Sequence, residues 1–292
     1  MGRGRKPMSS GQEVGNKTEI RDNSDLNVVE GRYIYCIVGT NQERKFTSPG
    51  IGARADTVYS ISYQNIAAVI SPSPIMRYSI SRENTIAHQK VLEELIGDFT
   101  VLPVKFGTIA SGKDGVCAEE RIREEVLKAR YEELKGLLTK MDNKTELGLK
   151  ALWIDMRVIF KEIVEENKDI KILKKTIASR SSLQTYGDRI ALGEKVKDAL
   201  ERKKAKEQKD ILDVLKEAYV DMRSNKIFGD NMITNLAFLV EKPRVEEFDR
   251  LVDRLSTIYD GRIKFKYVGP VPPCNFVELV IVLEGESYEG KA

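Results

Sequence analysis

Residues Val268–Val277 read V-G-P-V-P-P-C-N-F-V, and what this stretch permits decides how the chain ends. Pro270, Pro272 and Pro273 each fix φ and remove a backbone donor, so the stretch is expected to interrupt a β-ladder and hold its flanks at a set angle. Before it, Ile263, Phe265 and Tyr267 alternate with Arg262, Lys264 and Lys266, the period-two pattern of a half-buried strand. After it, Phe276 to Leu283 is expected to form a last strand beside it. A second proline-punctuated segment, Val101 to Thr108 (V-L-P-V-K-F-G-T), predicts an edge or bulged strand at Pro103.

Working outward from these segments, strands and helices mix throughout. Tyr33 to Val38 is β-branched and aromatic, as a buried strand requires, and Thr57–Ser62 with Ile66–Ile70 predicts a hairpin turning at Gln64-Asn65. A helix is expected from Ser81, with His88, Leu92 and Leu95 on one face and Gly97 as its C-terminal cap. A second, Val116 to Leu138, repeats Leu127, Tyr131, Leu134 and Leu138. Thr145 to Asp155 alternates, with Leu147, Leu149, Ala151 and Trp153 together on one face. Residues 158–224 lack proline and carry apolar stripes at Leu192, Val196 and Ala199 and at Ile211, Leu215, Ala218 and Met222, predicting two or three helices in an arm or hairpin. Ile233 to Val240 returns to strand. A helix then opens with Pro243 in its first turn, buries Val245, Phe248, Val252, Leu255 and Tyr259, and stops at Gly261.

This order predicts an α+β protein of two α/β domains with ferredoxin-like, split β-α-β sheets and a helical insert in the second half. Residues 1–31 read as a disordered tail, 32–142 as the first domain, 143–285 as the second with its insert at 158–224, and 286–292 as a flexible tail. The 292-residue length favours two cores over one.

Composition narrows the chemistry. With 48 basic and 45 acidic side chains, the net charge of +3 exerts little pull on a polyanion. Cys36, Cys117 and Cys274 are odd in number and far apart, which reads as reduced, buried thiols and an intracellular setting. No run approaches the roughly 20 apolar residues of a membrane helix. The one histidine, His88, falls on an apolar helix face, so a His-Asp or His-metal cluster has no material. Zinc ligand spacing and a phosphate loop are both missing, and Gly50–Ala53 and Gly112–Gly115 lack the strand-to-helix context of a dinucleotide site. Glu119-Glu120 and Glu165-Glu166 read as solvated faces and Trp153 as core. Arg262, Lys264 and Lys266 give charge without the rings that stack single-stranded RNA, which argues against nucleic acid. No catalytic, cofactor or metal residue is therefore named.

Four segments resemble the gas vesicle protein F/L family: Arg32–Tyr35, Val101–Thr108, Ile190–Glu194, and Asn235–Val240 with the Gly269–Pro273 turn that follows. They occur in that family's order over residues 32–283. Its motif residues fall here on Pro103, Phe106, Gly107, Gly193, Gly269, Pro270, Pro272 and Pro273, as structural positions. Cys274 stands where relatives usually place an aromatic, and the basic tail before Arg32 lies outside the pattern. The resemblance implies a non-enzymatic accessory or minor structural protein, cytoplasmic and associated with gas vesicles. It would bind the hydrophobic shell protein GvpA, and other accessory proteins, limiting aggregation or aiding nucleation, without cofactor or membrane. The partner-binding residues are unknown from sequence; the first sheet, Tyr33 to Val104, with its Pro103 edge is the expected contact. The charge-patterned helices leave self-association open. A ligand-sensing domain with a small-molecule pocket, or a nucleic-acid-binding regulator using tail and insert, are the alternative readings.

Overall fold

Two separate sets of alternating apolar residues each need a surface to cover them, and the chain answers with two antiparallel sheets. The computed structural model describes residues 30–74, 77–181 and 185–283, so residues 1–29 of the tail expected at 1–31, and the whole tail expected at 286–292, lie outside the described residues. The first sheet contains β1 (Glu30–Val38), β2 (Lys45–Pro49), β3 (Thr57–Tyr63), β4 (Ile66–Pro74), β5 (Val101–Pro103) and β6 (Ile109–Ala110). Its order is β2-β3-β4-β1-β5, with β6 also on β1. Pairing already engages Glu30 and Gly31, two residues before the expected start of order.

β1 is central, and its residues from Tyr33 to Val38 are fully buried because both faces are covered. One face meets α1 (Arg82–Leu95) through Val91, Leu92 and Leu95. The other meets Ile122, Val126, Leu127, Leu134 and Leu138. The β3–β4 hairpin turns at Gln64, whose φ is 52°. The Ser81 hydroxyl caps α1 by accepting from Asn84 N–H. Gly97, expected as a left-handed cap, has no positive φ; Ile96 N–H closes the last turn on Leu92 O instead.

The second sheet holds β7 (Lys144–Trp153), β8 (Asp221–Ser224), β9 (Met232–Glu241) and β10 (Ile263–Val271), in the order β10-β7-β9-β8. β9 thus lies between β7 and β8, which are joined through helices. The helices α4 (Met156–Glu166), α5 (Lys168–Ala178), α6 (Tyr186–Leu215) and α7 (Val245–Ile258) cover the face carrying Leu147, Leu149, Ala151 and Trp153. The architecture is α+β, as expected, but the first sheet is not a split β-α-β unit. Its β2, β3 and β4 are sequential antiparallel neighbours, with one helix, α1, between β4 and β5.

Three further differences have local causes. The predicted helix over Val116–Leu138 is broken into α2 (Ala118–Arg121), a π-helical turn at Ile122–Lys128, and α3 (Tyr131–Met141). Ala129 N–H bonds five residues back to Glu124 O, and Arg130 leaves helical geometry, so the axis bends while Leu127, Leu134 and Leu138 stay buried. The insert packs onto the second sheet through Ile159, Ile163, Ala199, Leu200, Ile211 and Leu215 and is no free arm. Met222, read as the end of a helical stripe, belongs to β8, where pairing with Phe238 overrides the helical period. Partly buried charge reinforces the docking of the insert. Arg262 holds Glu162 at 2.7 Å and Glu207 at 2.6 Å, and Glu207 also accepts from Trp153 Nε1 at 2.6 Å.

The chain's end is the largest departure. The prolines do not stop β10: pairing with β7 runs through Val268, skips, and resumes at Val271 opposite Glu146. A bulge takes Gly269 and Pro270, the second of which has no N–H to donate, out of register. Phe276–Leu283 is not a partner strand of β10. It crosses to the first sheet, where Val277, Leu279, Ile281 and Leu283 join that core. Leu279 N–H donates to Pro103 O (3.1 Å) and Lys105 N–H to Leu279 O (3.0 Å), so the β5 edge is occupied.

Candidate functional site

The two proline-bearing segments meet around one groove. Val101 of β5 and Phe99 before it form one wall, and Pro270, Val271 and Pro273 form another. Met141 of α3, Thr145 of β7 and Val245 of α7 complete a concavity of about 500 Å³ between the sheets. The lining is dominated by aliphatic, aromatic and proline side chains because each comes from the rim of a core whose interior is already filled.

Its polar groups are largely spoken for. Thr145 Oγ1 donates to Val271 O at 3.1 Å. Lys242 Nζ donates to Ile96 O at 3.1 Å, and Lys144 Nζ to Lys140 O at 2.9 Å, so the two ammonium groups rim the groove while tied to carbonyls. Among the described lining residues there is no carboxylate, thiol or imidazole to serve as acid, base or nucleophile. The arrangement can hold apolar surface.

Behind the groove, the turn after β10 is pinned by Glu146, whose carboxylate accepts from Asn275 N–H (2.8 Å) and from its side-chain amide. Burial raises the Glu146 pKa, and the Asn275 hydrogen bonds oppose that rise. Gly269 holds φ +132°, and an added Cβ would lie 2.7 Å from Leu147 Cδ2 and 2.9 Å from Glu146 O. Glycine is required there by close approach as well as by conformation.

The other expected motif residues divide in two. Pro103 is buried on β5 opposite Cys36. Gly107, at φ +84°, donates its N–H to Tyr33 OH at 3.0 Å, leaving the phenol proton to donate to His88 Nδ1, also 3.0 Å away. Phe106 packs edge-on to both rings. His88 is 8% exposed, and burial pushes its pKa down to about 4, so it is a neutral acceptor inside the fold. Pro270 and Pro273 line the groove, and Pro272 is buried beside it. Gly193 is apart from all of these on α6, with nothing within 4 Å.

Two readings of single residues need correction. Cys36 is buried, but Cys117 and Cys274 are exposed. Glu119 is no freely solvated acid: it accepts from Arg32 Nε at 2.6 Å and Tyr59 OH at 2.9 Å, bracing α2 against β1 and β3. Phe99, Met141 and Val245 were not legible as one site, since they are 42 and 104 residues apart in sequence and join only through packing. The nearest signal was Val245 on the apolar stripe of its helix.

The profile of the family described as "Gas vesicle synthesis protein GvpL/GvpF" matches residues 31–278. The chain belongs to the GvpL/GvpF family. Among GvpL/GvpF relatives, gas vesicle protein F of Streptomyces sp. (strain CB03234) is 29% identical over 229 residues, covering 78% of this chain and 91% of that protein. Gas vesicle protein F1 of Halobacterium salinarum is 24% identical, covering 89% and 99% respectively. The same organism's gas vesicle protein L1 is 23% identical, covering 87% of this chain and 92% of its own length. The crystal structure of GvpF from Anabaena sp. PCC7120 superposes with a TM-score of 0.73 at 22% identity, covering 86% of this chain and 99% of that one. That likeness establishes a shared GvpF fold. Membership makes this chain a gas vesicle accessory protein, and none of its described helices is long and apolar enough to cross a membrane.

Proposed function

We propose that the chain is a non-enzymatic accessory or minor structural component of gas vesicles that binds the hydrophobic shell protein GvpA, limits its aggregation and assists nucleation of the shell. The observation that carries this reading is the apolar groove between the sheets, which joins both proline-bearing segments and offers no reactive group. A client with exposed apolar surface needs a preformed concavity that removes that surface from water, which is the largest favourable contribution to such contacts. The first sheet contributes through Phe99 and Val101. Strand addition at β5 is not part of the proposal, because Leu279 already bonds both sides of that position. On this reading the protein works in the cytoplasm at the growing vesicle.

The test is co-expression of the full chain with GvpA, measuring the soluble fraction of GvpA. Val245→Asp and Phe99→Ser, each at a half-buried rim position, are expected to return GvpA to the insoluble fraction while the variant's own circular dichroism stays unchanged. Undiminished GvpA solubility with both folded variants refutes the groove, and no effect of the wild-type chain refutes the function.

A further inference from the structure

The second sheet has a face that its helices do not cover, and its charges are arranged at a cost. Lys150 of β7 is directly opposite Lys266 of β10, and Lys264 follows one pleat further along the same face of β10. Like charges directly opposite in a ladder are destabilising, and among the described residues no acidic side chain pairs with any of these three lysines. β10 is the edge strand, so this conflict lies between the edge and its neighbour β7, where all three lysines are exposed and open to a partner's charge.

The surroundings define a site and not a bare patch. A cavity of about 420 Å³ opens beside the two lysines. Its floor is Gly148 and Ala237, small residues paired across β7 and β9. Val268, 59% exposed, closes over Gly148, where a Cβ would come within 2.8 Å of Val268 Cγ2. The far wall is the loop after β8, tied down by Asn225 N–H to Asn235 O and Asn235 Nδ2 to Lys226 O. That loop holds Phe228, 63% exposed, with Lys226 Nζ 5.3 Å from its ring centroid. The acidic groups nearby are engaged: Glu146 by Asn275, and Asp221 by Arg223 at 2.9 Å.

We propose that this uncovered face is a docking surface for an extended acidic segment of a partner protein. Lys150, Lys264, Lys266 and Lys226 would meet its carboxylates, and the narrow glycine-alanine floor with Phe228 and Val268 would take one apolar or aromatic side chain. The shape favours peptide over single-stranded nucleic acid. Base stacking needs rings on the central strands, and β7 and β9 present Gly148, Lys150, Asn235 and Ala237 there. This surface shares no lining residue with the groove assigned to GvpA, so the two proposals fail independently.

The experiment titrates the full chain into a fluorescein-labelled octaglutamate peptide at about 0.1 M salt, a screening regime in which close contacts survive, reading anisotropy. A labelled octalysine peptide and a labelled oligothymidylate serve as alternatives. Saturable octaglutamate binding, weakened at least about tenfold in Lys150→Glu/Lys266→Glu, is the expected result. A remote charge control, Lys171→Glu/Lys174→Glu on α5, leaves it unchanged. Urea midpoints verify that each variant is folded, and Lys150→Gln alone, which removes the repulsion, should unfold no earlier than wild type. The proposal is overturned by absence of saturable binding, by tighter binding of the oligothymidylate, or by equal loss in the control variant.

Discussion

Replacing Gly269 with alanine tests the claim that the turn after β10 is fixed by close approach. At φ +132° an L-residue carries a backbone penalty of about 1–3 kcal/mol. The new Cβ would also stand 2.9 Å from Glu146 O, a backbone atom of a central strand that cannot step aside, and 2.7 Å from Leu147 Cδ2 in the second core. Forcing a methyl into such a site adds about 1–3 kcal/mol. The sum, about 2–6 kcal/mol, is a large share of the roughly 5–15 kcal/mol that holds a domain folded. Gly193→Ala is the matched control. Both glycines belong to the family pattern, but Gly193 is within α6 with open space around it, and alanine there should stabilise by about 0.5–1 kcal/mol. Urea unfolding followed by circular dichroism measures both. A Gly269→Ala midpoint within error of wild type, or a destabilised Gly193→Ala, would show that packing geometry is not what these positions supply.

His88 should make stability depend on pH in one window. Its folded pKa is about 4, below the ordinary 6.5, so the stability it contributes is complete above about pH 6.5 and declines toward pH 4 as the unfolded chain alone takes up the proton. Between pH 7 and 5 the loss is about 2 kcal/mol, and His88→Gln should abolish that slope in urea titrations; a slope that survives the substitution assigns it elsewhere. Leu279→Ala, at a 3% exposed position in the first core, should cost about 2–5 kcal/mol and make the C-terminal segment accessible to limited proteolysis. If proteolysis is unaffected, the segment's docking on β5 is not held by its side chains. Arg262→Met strands Glu207, which then has only Trp153, and should cost roughly 2–4 kcal/mol by urea unfolding. A neutral result would mean the insert is held by its apolar face alone.

Local patterns were read from sequence where one face of one element decided the outcome. Alternation at Leu147, Leu149, Ala151 and Trp153 placed all four on the buried face of β7, and Ser81 marked its helix start. Where two elements compete for the same residues, the pattern misled: Met222 continues a helical stripe yet pairs in a sheet, and Phe276–Leu283 alternates like a neighbour of β10 yet belongs to the other core. Period alone states which side chains point together, not which surface they will meet.

The candidate groove follows the same division. Its prolines were visible as rigid punctuation, while Phe99, Met141 and Val245 became a site only when α3, α7 and β5 were brought together. Composition and spacing by themselves determined an α+β chain whose single histidine leaves no material for a histidine cluster. Register and long-range packing decided the rest. Whether Lys150 faces Lys266, whether the β5 edge is open, and whether the prolines end β10 all depend on contacts between residues more than a hundred positions apart, and those are set by which apolar surfaces find one another as the chain folds.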